Sequence, residues 1–218
     1  MQRVLEPEVM DTAEEALEYD AMDHRAVNAL FCEDLLACAP APRRVVDVGT
    51  GTALIPIELC RRHPTCRIVA VDLAEHMLTR ARANVNGAGF RDRIELVLAD
   101  AKGSGLERHG FDVVMSNSIV HHIPDPARAL SDMLSLLSTG GLLFVRDLER
   151  PVDEPSVQRL VETYAGSEAP KARALFEASL RAALTLGEVR AILAPFGVPP
   201  TAVERTSDRH WTLVHRVG

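Results

Sequence analysis

Three acids and two glycines mark the places in this sequence where chemistry is feasible: Asp47, Gly49 and Gly51 close together, then Asp72 and Asp100 further along. Asp47 lies in a β-branched run, Val45-Val46-Asp47-Val48, and the glycines follow at alternate positions. A helical pattern opens near Leu54, with Pro56 tolerable in its first turn. Strand, glycine turn and helix together let a ligand lie against the main chain beside a helix N-terminus, so a nucleotide-like ligand is expected. Asp72 ends a second buried run, Arg67 to Val71, about 20 residues past the turn, where a carboxylate accepts hydrogen bonds from both hydroxyls of a ribose. Capping of the next helix is the competing role for such an aspartate. Leu73 would add apolar contact from the same turn.

Spacing decides between nucleotides. The dinucleotide fingerprint needs a third small residue for close helix packing, but bulky Leu54 stands there when the count starts from Gly49 and Gly51. The stretch instead resembles motif I of the class I S-adenosylmethionine-dependent methyltransferases, acid-x-Gly-x-Gly-x-Gly, with Asp47, Gly49 and Gly51 matching and Ala53 in place of the last glycine. Within that class it is most similar to the small-molecule branch that includes the ubiquinone and menaquinone methyltransferases. The resemblance implies S-adenosyl-L-methionine as cofactor and S-adenosyl-L-homocysteine as product. It also implies that Asp72 holds the ribose, and that Asp100 and the amide of Ala101 hold the adenine. Asn117 would belong to the cofactor site as well.

The run Asn117-Ser118-Ile119-Val120-His121-His122-Ile123-Pro124-Asp125-Pro126 resembles the motif IV region of these enzymes. It follows a strand, Phe111 to Ser116, and in open α/β sheets ligands bind beyond the carboxyl ends of the strands. His121 and His122 are therefore the catalytic candidates as general base, and His121 also a substrate candidate; pocket shaping and a hydrogen bond to the Asp125-Pro126 turn are the competing roles. Arg146 and Asp147 close the next strand, either as a salt bridge or, in the case of Arg146, as a substrate contact. Tyr19 and His24, with Asp20 and Asp23 beside them, face the pocket if the N-terminal segment is a lid. No metal is called for by these residues.

The elements that must carry these groups are legible from periodicity. Residues 1–42 read as an N-terminal helical segment, with Asp11 and Thr12 as caps and Pro40 and Pro42 as stops. Residues 43–218 read as one methyltransferase-like domain with a helical cap inserted over 150–185. Asn86-Gly87 and Gly140-Gly141 are expected to end helices. Leu160, Tyr164, Leu175, Phe176 and Leu180 would either pack the cap or line a substrate pocket. The closing segments, Ala202 to Arg205 and Trp211 to His215, read as an antiparallel hairpin. The expected architecture is a Rossmann-like three-layer α/β/α sandwich around a seven-stranded, mostly parallel sheet.

Composition narrows the function. A chain of 218 residues, 47% of them hydrophobic, can bury one substantial core. A net charge of −7, scattered basic residues and only 4% aromatics argue against nucleic acid as partner. The four cysteines show no metal spacing and no disulfide framework, and no membrane span is apparent, so a reducing cytoplasm is expected. A small molecule is the expected partner; monomer and homodimer stay open. The rival readings are a nicotinamide-dependent oxidoreductase, disfavoured by Leu54, and a non-catalytic cofactor-binding module on the same fold.

Overall fold

The computed structural model describes residues 1–6 and 11–218. Two helices, α1 (Ala13–Ala21) and α2 (Arg25–Cys38), precede an alternating series: β1 (Arg44–Val48), α3 (Leu54–Arg62), β2 (Arg67–Asp72), α4 (Glu75–Ala88) and β3 (Ile94–Leu98). The chain continues through β4 (Phe111–Asn117), α5 (Pro126–Leu136) and β5 (Leu137–Leu148), then three helices, α6 (Glu154–Ala165), α7 (Pro170–Ala182) and α8 (Leu186–Leu193). It closes with β6 (Val203–Arg205) and β7 (His210–Arg216).

The seven strands form one sheet in the order β3-β2-β1-β4-β5-β7-β6. Neighbours from β3 to β5 are parallel, and β7 is antiparallel to both β5 and β6. The chain reverses its direction of travel across the sheet between β1 and β4, so a crevice opens beyond their carboxyl ends. Apolar residues cover both faces. Val45, Ile68, Val113, Met115 and Phe144 pack with Phe31, Leu35, Ile57 and Leu59 on one side, while Val46, Val71, Val114 and Leu143 pack with Leu130, Met133, Val189 and Trp211 on the other. Burial on two faces explains why the strands read as continuous β-branched runs instead of alternating patterns.

Several boundaries differ from the pattern reading. Helix begins only at Ala13, capped by Thr12, whose hydroxyl accepts from the Glu15 amide while the Glu15 side chain returns to the Thr12 amide. No helix is present in residues 1–6, and expectations for residues 7–10 lie outside the described residues. Helix α4 runs through Asn86-Gly87 and stops at Gly89, which takes φ 77°. Gly140 and Gly141 lie inside β5, not at a helix end: the Leu137 amide closes α5 and the chain pairs with β4 at once. Both glycines are tolerated because Phe111↔Leu137 and Val113↔Leu142 leave an irregularity between them.

Candidate active site

The glycine turn between β1 and α3 is held by its own main chain. The Gly49 and Thr50 amides both donate to the Val71 carbonyl, at 2.8 and 2.9 Å. The Gly51 amide donates to Asp72 Oδ2 at 2.7 Å. Gly49 takes φ 77° and Gly51 φ 56°, conformations costly for side chains, and a Cβ on Gly49 would stand 2.3 Å from the Ile119 side chain. Ala53, at the place of the missing third glycine, also takes a positive φ of 62° and caps α3 without a side-chain bond. The substitution for glycine therefore carries backbone strain there, as well as a methyl group in the core.

A cleft opens over this turn, lined by Gly49, Gly51, Asp72, Leu73, Asp100, Ala101, Asn117 and Tyr19 among others, with no lysine or arginine among the described residues of its wall. Asp72 is fixed by two amides, since Ala74 N–H donates to Oδ1 at 2.9 Å while Gly51 takes Oδ2. Burial raises its pKa, against the lowering effect of those amides. Asp100 accepts from the Lys102 amide at 2.8 Å and pairs with the Lys102 ammonium at 3.0 Å. Asp47 is 2% exposed and lies beneath the turn, outside the cleft wall. Burial, with Asp72 nearby, pushes its carboxyl up to about 7. Tyr19 reaches over from α1, which packs through Ala16 on Ala74 and Met77. Burial and the charges of Asp47, Asp72 and Asp20 push its phenol up to about 12.

The β4 loop places the histidines in two different settings. His121 is buried, and its Nδ1 lies 2.5 Å from Asp147 Oδ1. Asp147 Oδ2 also accepts the Val120 and His121 amides, at 2.6 and 3.2 Å. Burial alone would lower the His121 pKa, but the Asp147 and Glu6 carboxylates raise it. His122 faces both the cleft and a second, larger cavity of about 1190 Å³. Ser118, next to Asn117, takes φ 57°, a strained conformation of the kind found at functional loops.

Tyr19, Asn117, Ser118 and His122 belong to the walls of both cavities, so this is where the two meet. The larger cavity is also lined by His24, Arg146, Leu175 and Phe176. Arg146 does not pair with Asp147; its guanidinium donates to Asp34 at 2.6 Å and to the Thr212 hydroxyl at 3.0 Å, because adjacent residues on a strand point to opposite faces. His24 Nε2 is 3.0 Å from the Tyr19 carbonyl. Asp20 turns away to Arg80 and Asn84, and Asp23 pairs with Arg25 at the surface, so neither faces a cavity. Within the cap, Leu160 and Leu180 are packing residues, whereas Leu175 and Phe176 line the cavity; Tyr164 does neither and donates to Asp208.

Glu6 is a member of this region that pattern reading passes over, and Asp147, read with Arg146 as a strand-closing pair, serves the histidine loop instead. Arg3 holds the N-terminal residues in place, donating to the carbonyls of Ala182, His121 and Ile123 at 2.6, 3.0 and 3.2 Å. Glu6 is thereby set against both histidines. The helical reading of residues 1–42 gives Glu6 no partner, so only the fold reveals it.

Residues 46–145 match the family model described as methyltransferase domain. That segment is similar to methyltransferase domains. The chain is similar to an uncharacterized methyltransferase of Mycobacterium tuberculosis, 37% identical over 121 residues that cover 54% of this chain and 58% of that protein. It is also similar to the demethylmenaquinone methyltransferase of Porphyromonas gingivalis, 30% identical over 116 residues, 53% of this chain and 47% of that one. The chain thus spans about half the length of these curated relatives. Beyond that segment, a SAM-dependent methyltransferase structure from Aquifex aeolicus shares the fold at a TM-score of 0.70 and 16% identity, over 95% of this chain and 99% of that one. The expected Rossmann-like sandwich, with its seven-stranded sheet and antiparallel C-terminal pair, is the fold observed.

Proposed function

We propose that this protein transfers a methyl group from S-adenosyl-L-methionine to a small-molecule acceptor. The observation that carries the proposal is the occupancy of the glycine turn. The amides of Gly49, Thr50 and Gly51, which would cradle a dinucleotide pyrophosphate, already donate to Val71 and Asp72. With Asp72 and Asp100 and no lysine or arginine among the described residues of its wall, the cleft favours a neutral or cationic nucleoside over a polyphosphate. This disfavours the nicotinamide reading.

In this assignment the remaining lone pairs of Asp72 accept the ribose hydroxyls, Leu73 packs on the sugar, and Asp100 with the Ala101 amide takes the adenine edge. S-adenosylmethionine, when bound, supplies a methyl group already activated by its sulfonium. The chain then has to align an acceptor from the larger cavity with the cleft and exclude water, and Tyr19, Asn117, Ser118 and His122 stand at that junction. If the acceptor is a hydroxyl or carbon acid, its proton passes to the histidine pair, with His122 at the junction and His121 fixed behind it by Asp147. Residues 1–6 and α1 serve as the lid, and α6 and α7 as the substrate cap.

Among the described residues no helix is long and apolar enough to cross a membrane. A cytoplasmic setting accords with the four free cysteines. The deciding experiment is calorimetric titration of cofactor-stripped protein with S-adenosylmethionine, S-adenosylhomocysteine and NADH. Micromolar binding of the sulfur nucleotides alone is expected, and Asp72→Ala should abolish it while leaving the circular dichroism spectrum unchanged. Binding of NADH instead, or unaltered affinity in the folded variant, would remove the assignment.

A further inference from the structure

Glu6, His121 and His122 bring three ligand-type atoms together, all within 4.8 Å of one another. Glu6 Oε1 stands 3.2 Å from His122 Nδ1 and 3.7 Å from His121 Nε2. The Glu6 side chain is only 9% exposed, and its Oε1 lies within ion-pair range of both imidazoles without a well-formed hydrogen bond to either. A carboxylate this buried is costly unless a counter-charge, a protonated imidazole or a cation, engages it.

From this geometry we infer a divalent transition-metal site with a two-histidine, one-carboxylate donor set. Bonds of about 2.0–2.2 Å in tetrahedral coordination place ligand atoms roughly 3.3 Å apart, close to the separations from Glu6 to the two imidazoles. Imidazole with carboxylate suits zinc, cobalt or ferrous iron better than magnesium or calcium, which prefer all-oxygen cages. The surroundings provide what such a site requires. His121 has its other ring nitrogen on Asp147 Oδ1 at 2.5 Å, the carboxylate–histidine arrangement that fixes tautomer and orientation for a metal. The nearby Arg3 guanidinium is committed to the Ala182, His121 and Ile123 carbonyls. All three ligand residues border the larger cavity, so an ion held by them keeps a coordination position open to whatever occupies it. Sequence alone could not show the site, because position 6 meets positions 121 and 122 only in the fold.

The site stands on these side chains alone and does not depend on the methyl-transfer reading. It is tested on the full chain, freed of metal with a chelator and titrated with Co²⁺ and then Zn²⁺. One equivalent of Co²⁺ should give visible d–d absorption without a thiolate charge-transfer band, and Zn²⁺ should displace it. Glu6→Gln and His122→Ala, each confirmed folded by circular dichroism, should weaken binding about tenfold or more. No Co²⁺ binding by the wild-type chain, unchanged affinity in both folded variants, or a thiolate band assigning the ion to Cys60 and Cys66, whose sulfurs are 3.9 Å apart, would each overturn the inference.

Discussion

Gly49 and Gly51 share a conformational demand but not a neighbourhood, and the difference separates stability from binding. At Gly49 an added methyl meets Ile119 at 2.3 Å, so Gly49→Ala combines about 1–2 kcal/mol of left-handed strain with about 1–3 kcal/mol of overpacking. At Gly51 the same methyl finds only Tyr19, at 3.7 Å, and its cost to the fold is the strain alone, about 1–2 kcal/mol. Its Cβ enters the cleft, however. Urea denaturation should therefore rank Gly49→Ala as the more destabilised, while calorimetry should find S-adenosylhomocysteine binding impaired in folded Gly51→Ala. Asp47 makes a second residue-scale argument, through its charge. Its folded pKa of about 7 lies above the ordinary 3.8, so its contribution favours folding at low pH and is lost as pH rises through about 7. Replacing it with asparagine should flatten stability against pH across that window. A cationic ligand in the neighbouring cleft should conversely draw the proton off. Titrations near pH 6 in buffers of different ionisation enthalpy should show proton release for the wild-type chain and less for Asp47→Asn.

At the scale of elements, the loop after β4 is shaped by one carboxylate at the end of β5. Asp147 accepts from the Val120 and His121 amides, the Leu148 amide and the His121 ring, all in a buried setting. Removing one partner of a buried charged pair costs about 3–5 kcal/mol. Asp147→Ala should lose about that much in denaturant unfolding. Asn117, Ser118 and His122, no longer held at the junction, should lose transfer activity even where the chain stays folded. Half of this arrangement was legible beforehand. Asp72 at the end of β2 and Asp100 in the loop after β3 sit where the crevice must be, because a parallel sheet sends its strand ends to one side and β-branched runs announce the strands. The helix cap at Thr12 was equally readable, since capping is a local interaction. The pairing of Arg146 was not, because its partner Asp34 comes from α2 and no local rule connects them. The same holds for Glu6, which depends on Arg3 anchoring an irregular segment to α7 and the histidine loop.

For the molecule as a whole, the proposed cofactor couples parts of the chain that otherwise pack separately. The cleft wall draws on α1 through Tyr19, the β1 turn through Gly49 and Gly51, the ends of β2 and β3 through Asp72 and Asp100, and the β4 loop through Asn117. A ligand touching all of these binds the folded state and has no comparable site on the unfolded chain. At a concentration 100 times its dissociation constant it should add about 2.7 kcal/mol to stability, which for a domain of this size corresponds to a rise in Tm of about 5–11 °C. Scanning calorimetry with S-adenosylhomocysteine should show that rise, and NADH at the same concentration should show none, because the turn amides a pyrophosphate needs are already engaged. The stabilisation should spread to α1, where Tyr19 covers the cleft, and hydrogen exchange should slow there as well as in the β1 turn. An equal shift with NADH would mean that the turn opens to accept phosphate. Protection confined to the turn would mean that α1 does not close over the ligand.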